Sequence, residues 1–124
     1  MNAEPLHEAL RLQRDAAELG FDWRQLDELW DKLAEEIAEL QQATGEGPAR
    51  IEDELGDVLF MAVNLARHLG VDADAALRSS NAKFARRFAH VCRDLERLPP
   101  IGDPRRIDEM EARWQDAKRA EPIE

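Results

Sequence analysis

Tyrosine is absent from the 124 residues, cysteine occurs once, and aromatic side chains make up only 6% of the chain. The lone Cys92 excludes an intramolecular disulfide and a cysteine-rich metal site, and it fits a reducing compartment. A chain without Tyr suits a β-sandwich poorly. No apolar run approaches the roughly 20 residues that cross a bilayer. The stretch from Met1 to Leu10 carries acids and His7 where an export signal would carry a basic start and an apolar run. The expected location is therefore the cytoplasm, with no membrane partner. Positive charge is also scarce, with 17 Lys and Arg against 27 Asp and Glu and a formal net charge of -10. Such a field repels a phosphate backbone, so no nucleic-acid partner is expected, while a divalent cation is welcome.

What is present is a 44% hydrophobic share set among 35% charged residues, which excludes general disorder and fits amphipathic helices. The length predicts one domain, residues 1–124. A first helix over 4–19 stops at Gly20. Asp22, with Gln25 three residues on, reads as the N-cap of a second helix. Its apolar stripe is Leu26, Trp30, Leu33, Ile37 and Leu40, which makes Trp30 the surest core tryptophan. Trp23 and Trp114 also read as core rather than as stacking platforms.

Thr44 to Pro48, with two glycines and a proline, breaks that helix. A third helix runs over about 49–68 and closes at Gly70. Asp72 and Asp74 can cap a fourth, whose seam reads Leu77, Asn81, Phe84, Phe88, Val91, Leu95 and Leu98 before Pro99-Pro100. Asp103-Pro104 opens a short C-terminal helix at about 104–119. No segment alternates with period two and no repeat is visible. The fold class is all-α, a bundle of four to five helices.

At about 100° per residue, Lys32, Glu36 and Glu39 share one line along the second helix, with Glu35 beside them. Glu54, Asp57, Met61, Asn64 and His68 share one along the third. Both lines are expected at the border between core and solvent. If the two helices pack antiparallel, Glu36, Glu39, Glu54 and Asp57 converge on one volume. Four such oxygen donors, with no thiolate, select Mg2+, or Mn2+ in its place, over zinc. The ordinary reading of either acidic pair alone is a solvated face; the pairing on consecutive helices points to a metal. A di-iron bundle would want Glu-x-x-His pairs, which neither acidic pair supplies, and His68 reads as a surface or second-layer residue.

On the fourth helix, Lys83, Arg87 and His90 share an edge with Arg86 alongside, a set able to hold phosphate oxygens or simply to offset neighbouring acids. Asn81, in the apolar seam, is expected to be a buried amide in need of partners.

Taken in order, Gly20-Phe21-Asp22-Trp23, Glu35-Glu36-Ile37-Ala38-Glu39, Glu54-Leu55-Gly56-Asp57 and Asn81-Ala82-Lys83-Phe84-Ala85-Arg86-Arg87-Phe88 resemble the MazG nucleotide pyrophosphohydrolases. The resemblance extends over nearly the whole chain. It implies an all-α pyrophosphohydrolase that is Mg2+-dependent and forms a homodimer or higher homo-oligomer, with the site close to the subunit interface. Its substrates would be nucleoside triphosphates, NTP or dNTP, cut to the monophosphate and pyrophosphate. Residue by residue, the resemblance implies that Glu36, Glu39, Glu54 and Asp57 bind metal. Glu35 or Glu36 would take a proton from water. Asn81, Lys83, Arg86 and Arg87 would contact phosphate and nucleotide, with Lys32 and Asn64 as further substrate residues on the same helix lines. The rival readings are a narrower-substrate relative, cutting dUTP, dCTP or phosphoribosyl-ATP, and a non-catalytic helical module for nucleotide binding or protein interaction. Some members carry two such domains where this chain has one.

Overall fold

The computed structural model describes residues 4–122. In chain order they form α1 (Pro5–Glu18), α2 (Leu26–Ala43), α3 (Pro48–His68), α4 (Ala73–Val91), a short 3-10 turn (Leu95–Arg97) and α5 (Pro104–Ala120). No strand occurs among the described residues, so the chain is all-α as the sequence predicts. No helix among them is long and apolar enough to cross a membrane. The chain forms two compact units, Met1–Ala76 and Leu77–Glu124, with α4 starting in the first and continuing in the second.

The helix ends follow local chemistry. Pro5, Pro48 and Pro104 each sit in a first turn, where the missing N–H costs nothing. After α1 and α3, Gly20 and Gly70 take positive φ, 91° and 71°. That lets Phe21 N donate back to Ala16 O and Val71 N to Ala66 O, closing both helices. Asp72 caps α4 by accepting from the Asp74 and Ala75 amides, and Asp103 caps α5 by accepting from Arg105 N.

The start of α2 differs from the sequence reading. Glu28 does the capping, its Oε1 accepting from Arg24 N at 2.9 Å and Gln25 N at 3.1 Å. Asp22 is instead drawn to the far end of α3.

In the first unit, α3 is central, with α1 and α2 both packed on it. The buried side of α2 carries Leu29, Glu36 and Ala43. Leu29, 1% exposed, is the largest side chain closed off completely among the described residues. This corrects the predicted stripe: Trp30 is 48% exposed and Ile37 also faces water. Apolar content alone picked a helix face one residue out of phase with the packed one. The packed face includes a charged residue, Glu36, that hydrophobicity scoring assigns to the border. Glu54 is buried on α3 in the same way, together with Met61, Val63 and Asn64.

In the second unit, α4 stops at Val91 instead of running on toward Leu98. Asp94 turns left-handed, with φ 49°. Arg113 of α5 donates to the carbonyls of Val91, Arg93 and Asp94, which a continuing helix would have used itself. Val91, Leu98 and Ala117 are buried. Phe84 stacks on Phe88 at 5.6 Å between ring centres and meets Trp114 at 5.3 Å. Asn81 is exposed, not the buried amide the seam implied. The α4 seam is only partly covered, Phe84 itself being more than half exposed, so an amide on it needs no internal partner.

Candidate active site

The hairpin of α2 and α3 sets Glu36 roughly two turns before its loop and Glu54 roughly two turns after it, so the pair meets across the interface. Carboxylate oxygens of Glu36, Glu54 and Asp57 lie within 4.8 Å of one another. The acids were expected at the border of core and solvent; Glu36 and Glu54 are instead inside the interface, 7% and 5% exposed. Each is steadied by a cation one turn earlier on its own helix. Lys32 Nζ stands 3.2 Å from Glu36 Oε1, and Arg50 Nη2 is 2.9 Å from Glu54 Oε1.

Only one oxygen of each carboxylate is satisfied in this way. Oε2 of Glu36 and Oε2 of Glu54 are buried with no hydrogen-bond partner. A buried anion with an unpaired oxygen is costly, and a shared cation removes the cost for both at once. The surrounding potential agrees. Burial, then the charges of Glu36 and Glu54, push the Glu39 carboxyl up from its ordinary value. Burial and Glu36 do the same to Asp57. Glu39 thus stands at the edge of the cluster. Glu35 is exposed and hydrogen-bonds Lys32 at 3.4 Å.

Asn64 lies elsewhere, beside a cavity of about 440 Å³ bounded by α1, the loop before α2, and α3. Leu12 and Ala16 from α1, Trp23 from the loop, and Phe60 and Met61 from α3 give it apolar walls, and Asp22, Arg24, Glu28 and Arg67 line it with charge. Asn64 is one turn beyond Met61, itself one turn beyond Asp57, so the cavity continues the acidic line toward the end of α3. Gln13 also lines it, 5% exposed, with Nε2 donating to the Phe60 carbonyl at 3.0 Å.

The loop that walls the cavity is held by ions. Arg67 donates two hydrogen bonds to Asp22, at 3.0 and 2.7 Å, and a third to Asn64 Oδ1. His68 Nε2 is 3.0 Å from Asp22 Oδ1, which keeps His68 on the loop and away from the acids. The Arg67 bond, above all, holds the Asp22 carboxyl far below the usual carboxylate range. The pair's stability is therefore complete above the ordinary Asp value of 3.8 and lost as pH falls below it. Asp22→Asn is expected to be less stable than the parent at pH 7, the gap closing in strong acid. Urea unfolding at stepped pH measures this, and a gap that does not change with pH contradicts it.

The basic set lies in the second unit. Lys83 is exposed. Arg87 grips Glu121 with both arms of its fork, at 2.9 and 2.8 Å, and lies over the Trp114 ring. Arg86 reaches the same carboxylate at 3.5 Å. Together they bring Glu121 down from 4.5 to about 2, Arg87 doing most of it.

Gln13, Arg50 and the Asp22–Arg67 pair were not singled out as site residues from sequence. Gln13 left a signal: it is an amide in the middle of the apolar side of α1, between Leu10 and Ala16-Ala17. Arg50 sits four residues from both Glu46 and Glu54, a spacing at which helix charges meet. The Asp22–Arg67 pair spans 45 positions and no local pattern announces it.

The MazG nucleotide pyrophosphohydrolase domain profile matches residues 24–92. A nucleoside triphosphate pyrophosphohydrolase/pyrophosphatase MazG of Thermotoga maritima is 36% identical over 110 residues, 89% of this chain and 42% of that protein. A nucleoside triphosphate pyrophosphohydrolase of Escherichia coli is 40% identical over 119 residues, 94% of this chain and 45% of its own length. The chain thus spans less than half the length of either relative. By the profile that covers more than half of it, and by these identities, the chain belongs to the MazG nucleotide pyrophosphohydrolase family.

Proposed function

We propose that this chain, acting as one domain, hydrolyses nucleoside triphosphates, NTP or dNTP, to nucleoside monophosphate and pyrophosphate. It would use Mg2+, or Mn2+ in its place, held by Glu36, Glu39, Glu54 and Asp57. The observation that carries this reading is the pair of buried, partnerless carboxylate oxygens on facing helices, Glu36 Oε2 and Glu54 Oε2. Hard oxygen donors without sulfur or imidazole suit this ion. Bound there, Mg2+ supplies charge neutralisation of the phosphate chain and a lowered pKa for bound water.

The chain's own groups do the rest. Water adds to phosphorus, the phosphoanhydride bond to the departing pyrophosphate breaks, and the water proton passes to a carboxylate. Glu35 is the better base of the two candidates, because Glu36 is buried and committed at Oε1 to Lys32, while Glu35 is open to solvent. Lys32, Lys83, Arg86 and Arg87 counter phosphate charge, and Asn64 and Asn81 contact the nucleotide. Both arms of the Arg87 fork are taken by Glu121, so phosphate would bind there by displacing that carboxylate.

The chain is proposed to work as a homodimer or higher homo-oligomer in the cytoplasm, without nucleic-acid or membrane partners. Exposed apolar residues on the acidic hairpin, Trp30, Ile37, Leu55 and Leu59, support self-association.

The test is pyrophosphate release from a panel of NTPs and dNTPs with Mg2+, with and without EDTA. Release that stops on chelation is expected, and the panel ranks the substrates. No release from any nucleotide overturns the reading in favour of a binding module.

A further inference from the structure

One carboxylate in the second unit faces more positive charge than it can balance. Glu121 accepts from both arms of Arg87, at 2.9 and 2.8 Å, and from Arg86 at 3.5 Å. Among the described residues, neither arginine pairs with another acid. Two guanidinium charges thus meet a single negative charge, and one positive charge is left over. Arg87 is the less free of the two, its side chain 15% exposed and its guanidinium carbon 5.6 Å from the centre of the Trp114 ring. A planar fork held in this way presents two parallel donors to any anion with two oxygens on one centre, a phosphoryl group as well as a carboxylate.

The backbone delivers Glu121 to this place. Pro122 follows it, and the residue before a proline is pushed out of the helical region. Glu121 accordingly leaves α5 with φ -78° and ψ 145°, while its N–H still bonds the Lys118 carbonyl. The carboxylate is therefore carried on the first residue past the helix. Its side chain keeps contact with water, 24% exposed, so the pair can open without uncovering any core.

We propose that Glu121 is an internal competitor for phosphate at Arg86 and Arg87, a carboxylate latch that occupies the site until a phosphate group displaces it. The inference rests on the phosphate role given to these arginines above, and it adds what fills their site beforehand and what opens it. A phosphate with two negative charges balances both guanidiniums, which one carboxylate does not, so the exchange favours phosphate. While the latch is closed, apparent affinity falls in proportion to the fraction of molecules whose site is free.

The test titrates pyrophosphate into the full chain by calorimetry, with EDTA present so that no metal takes part. Glu121→Gln is compared with the parent and with Glu111→Gln, which removes the same charge from α5 at a residue bonded to Gln115. Glu121→Gln is expected to bind about tenfold more tightly than the parent, as for a latch closed in roughly nine molecules of ten, and Glu111→Gln to match the parent. A residue that only props Arg87 in place predicts the opposite sign, weaker binding once it is changed. Binding by Glu121→Gln no tighter than that of Glu111→Gln overturns the proposal, as does the absence of binding to all three proteins. A second measurement needs no variant. Trypsin cuts after Arg119, in the last turn of α5, and saturating pyrophosphate is expected to speed that cut in the parent by freeing Glu121. A rate that pyrophosphate leaves unchanged contradicts the latch. Turnover of NTPs with Mg2+ is scored apart. Tighter binding without turnover keeps the latch and removes the hydrolase reading; turnover with equal binding removes the latch alone.

Discussion

Glu54→Gln is expected to lose turnover by more than about 100-fold, the upper end of what removing a residue that only orients a metal ligand costs. The same substitution is expected to make the metal-free protein more stable. Glu54 is 5% exposed, shares its interface with Glu36 and Asp57, and leaves Oε2 without a partner. A neutral amide of the same shape removes one of three crowded negative charges and adds an N–H that a neighbouring carboxylate can accept. Arg50 keeps Glu46 and Asp53 as ion partners, so no cation is stranded. Arg50 meets only Oε1 of Glu54, and relief of the buried charge it leaves uncompensated is worth on the order of 1 kcal/mol, roughly 4 °C in a chain of this size. The upward displacement of the Glu39 and Asp57 carboxyls reports the same crowding. Calorimetry with and without Mg2+ separates the effects. The parent midpoint should rise with the ion, and the variant midpoint should start higher and stay put. A variant that is less stable without metal, or that keeps its turnover, contradicts the account.

Leu29→Ala is expected to destabilise the protein by about 3 kcal/mol, within the range for emptying a buried leucine site. Leu29 is 1% exposed, and no other large side chain among the described residues is closed off as completely. It lies on the face of α2 that packs on α3. Two packed helices close only partly over the space a leucine leaves, so the hole persists. Against a total stability of 5–15 kcal/mol, typical of such domains, this is a large share. The urea midpoint should fall with the slope of the transition unchanged. A loss under 1 kcal/mol would show that the hairpin is held by something other than this contact.

Much of the fold was legible because its punctuation is covalent. Proline at 5, 48 and 104 and glycine at 20 and 70 fix helix ends by their own backbone limits, and the predicted ends of α3 and α5 fall within a residue or so of the observed ones. The end of α4 was not legible, because what stops it is the guanidinium of Arg113, some 20 positions away. The phase of α2 was misread for a related reason. Trp30 and Ile37 look like core to any hydrophobic scale, yet Leu29 and Glu36 occupy the interface. In the site, the i, i+3 acids on consecutive helices announced a cluster. Their burial did not show, since it depends on Lys32 and Arg50 neutralising one oxygen each. The cavity was legible only as a single polar letter in an apolar stripe, Gln13.

The acids of the cluster belong to two helices joined at one end, and that divides the labour in an unexpected place. The hairpin works as a pair of callipers, its opening fixed near the hinge by Ala43, which has no exposed surface at all. The distance between opposing carboxylates is then inherited from backbone spacing rather than chosen by the carboxylates. Ala43, with no charge and no hydrogen-bonding side chain, thereby becomes part of what sets the spacing of the acids.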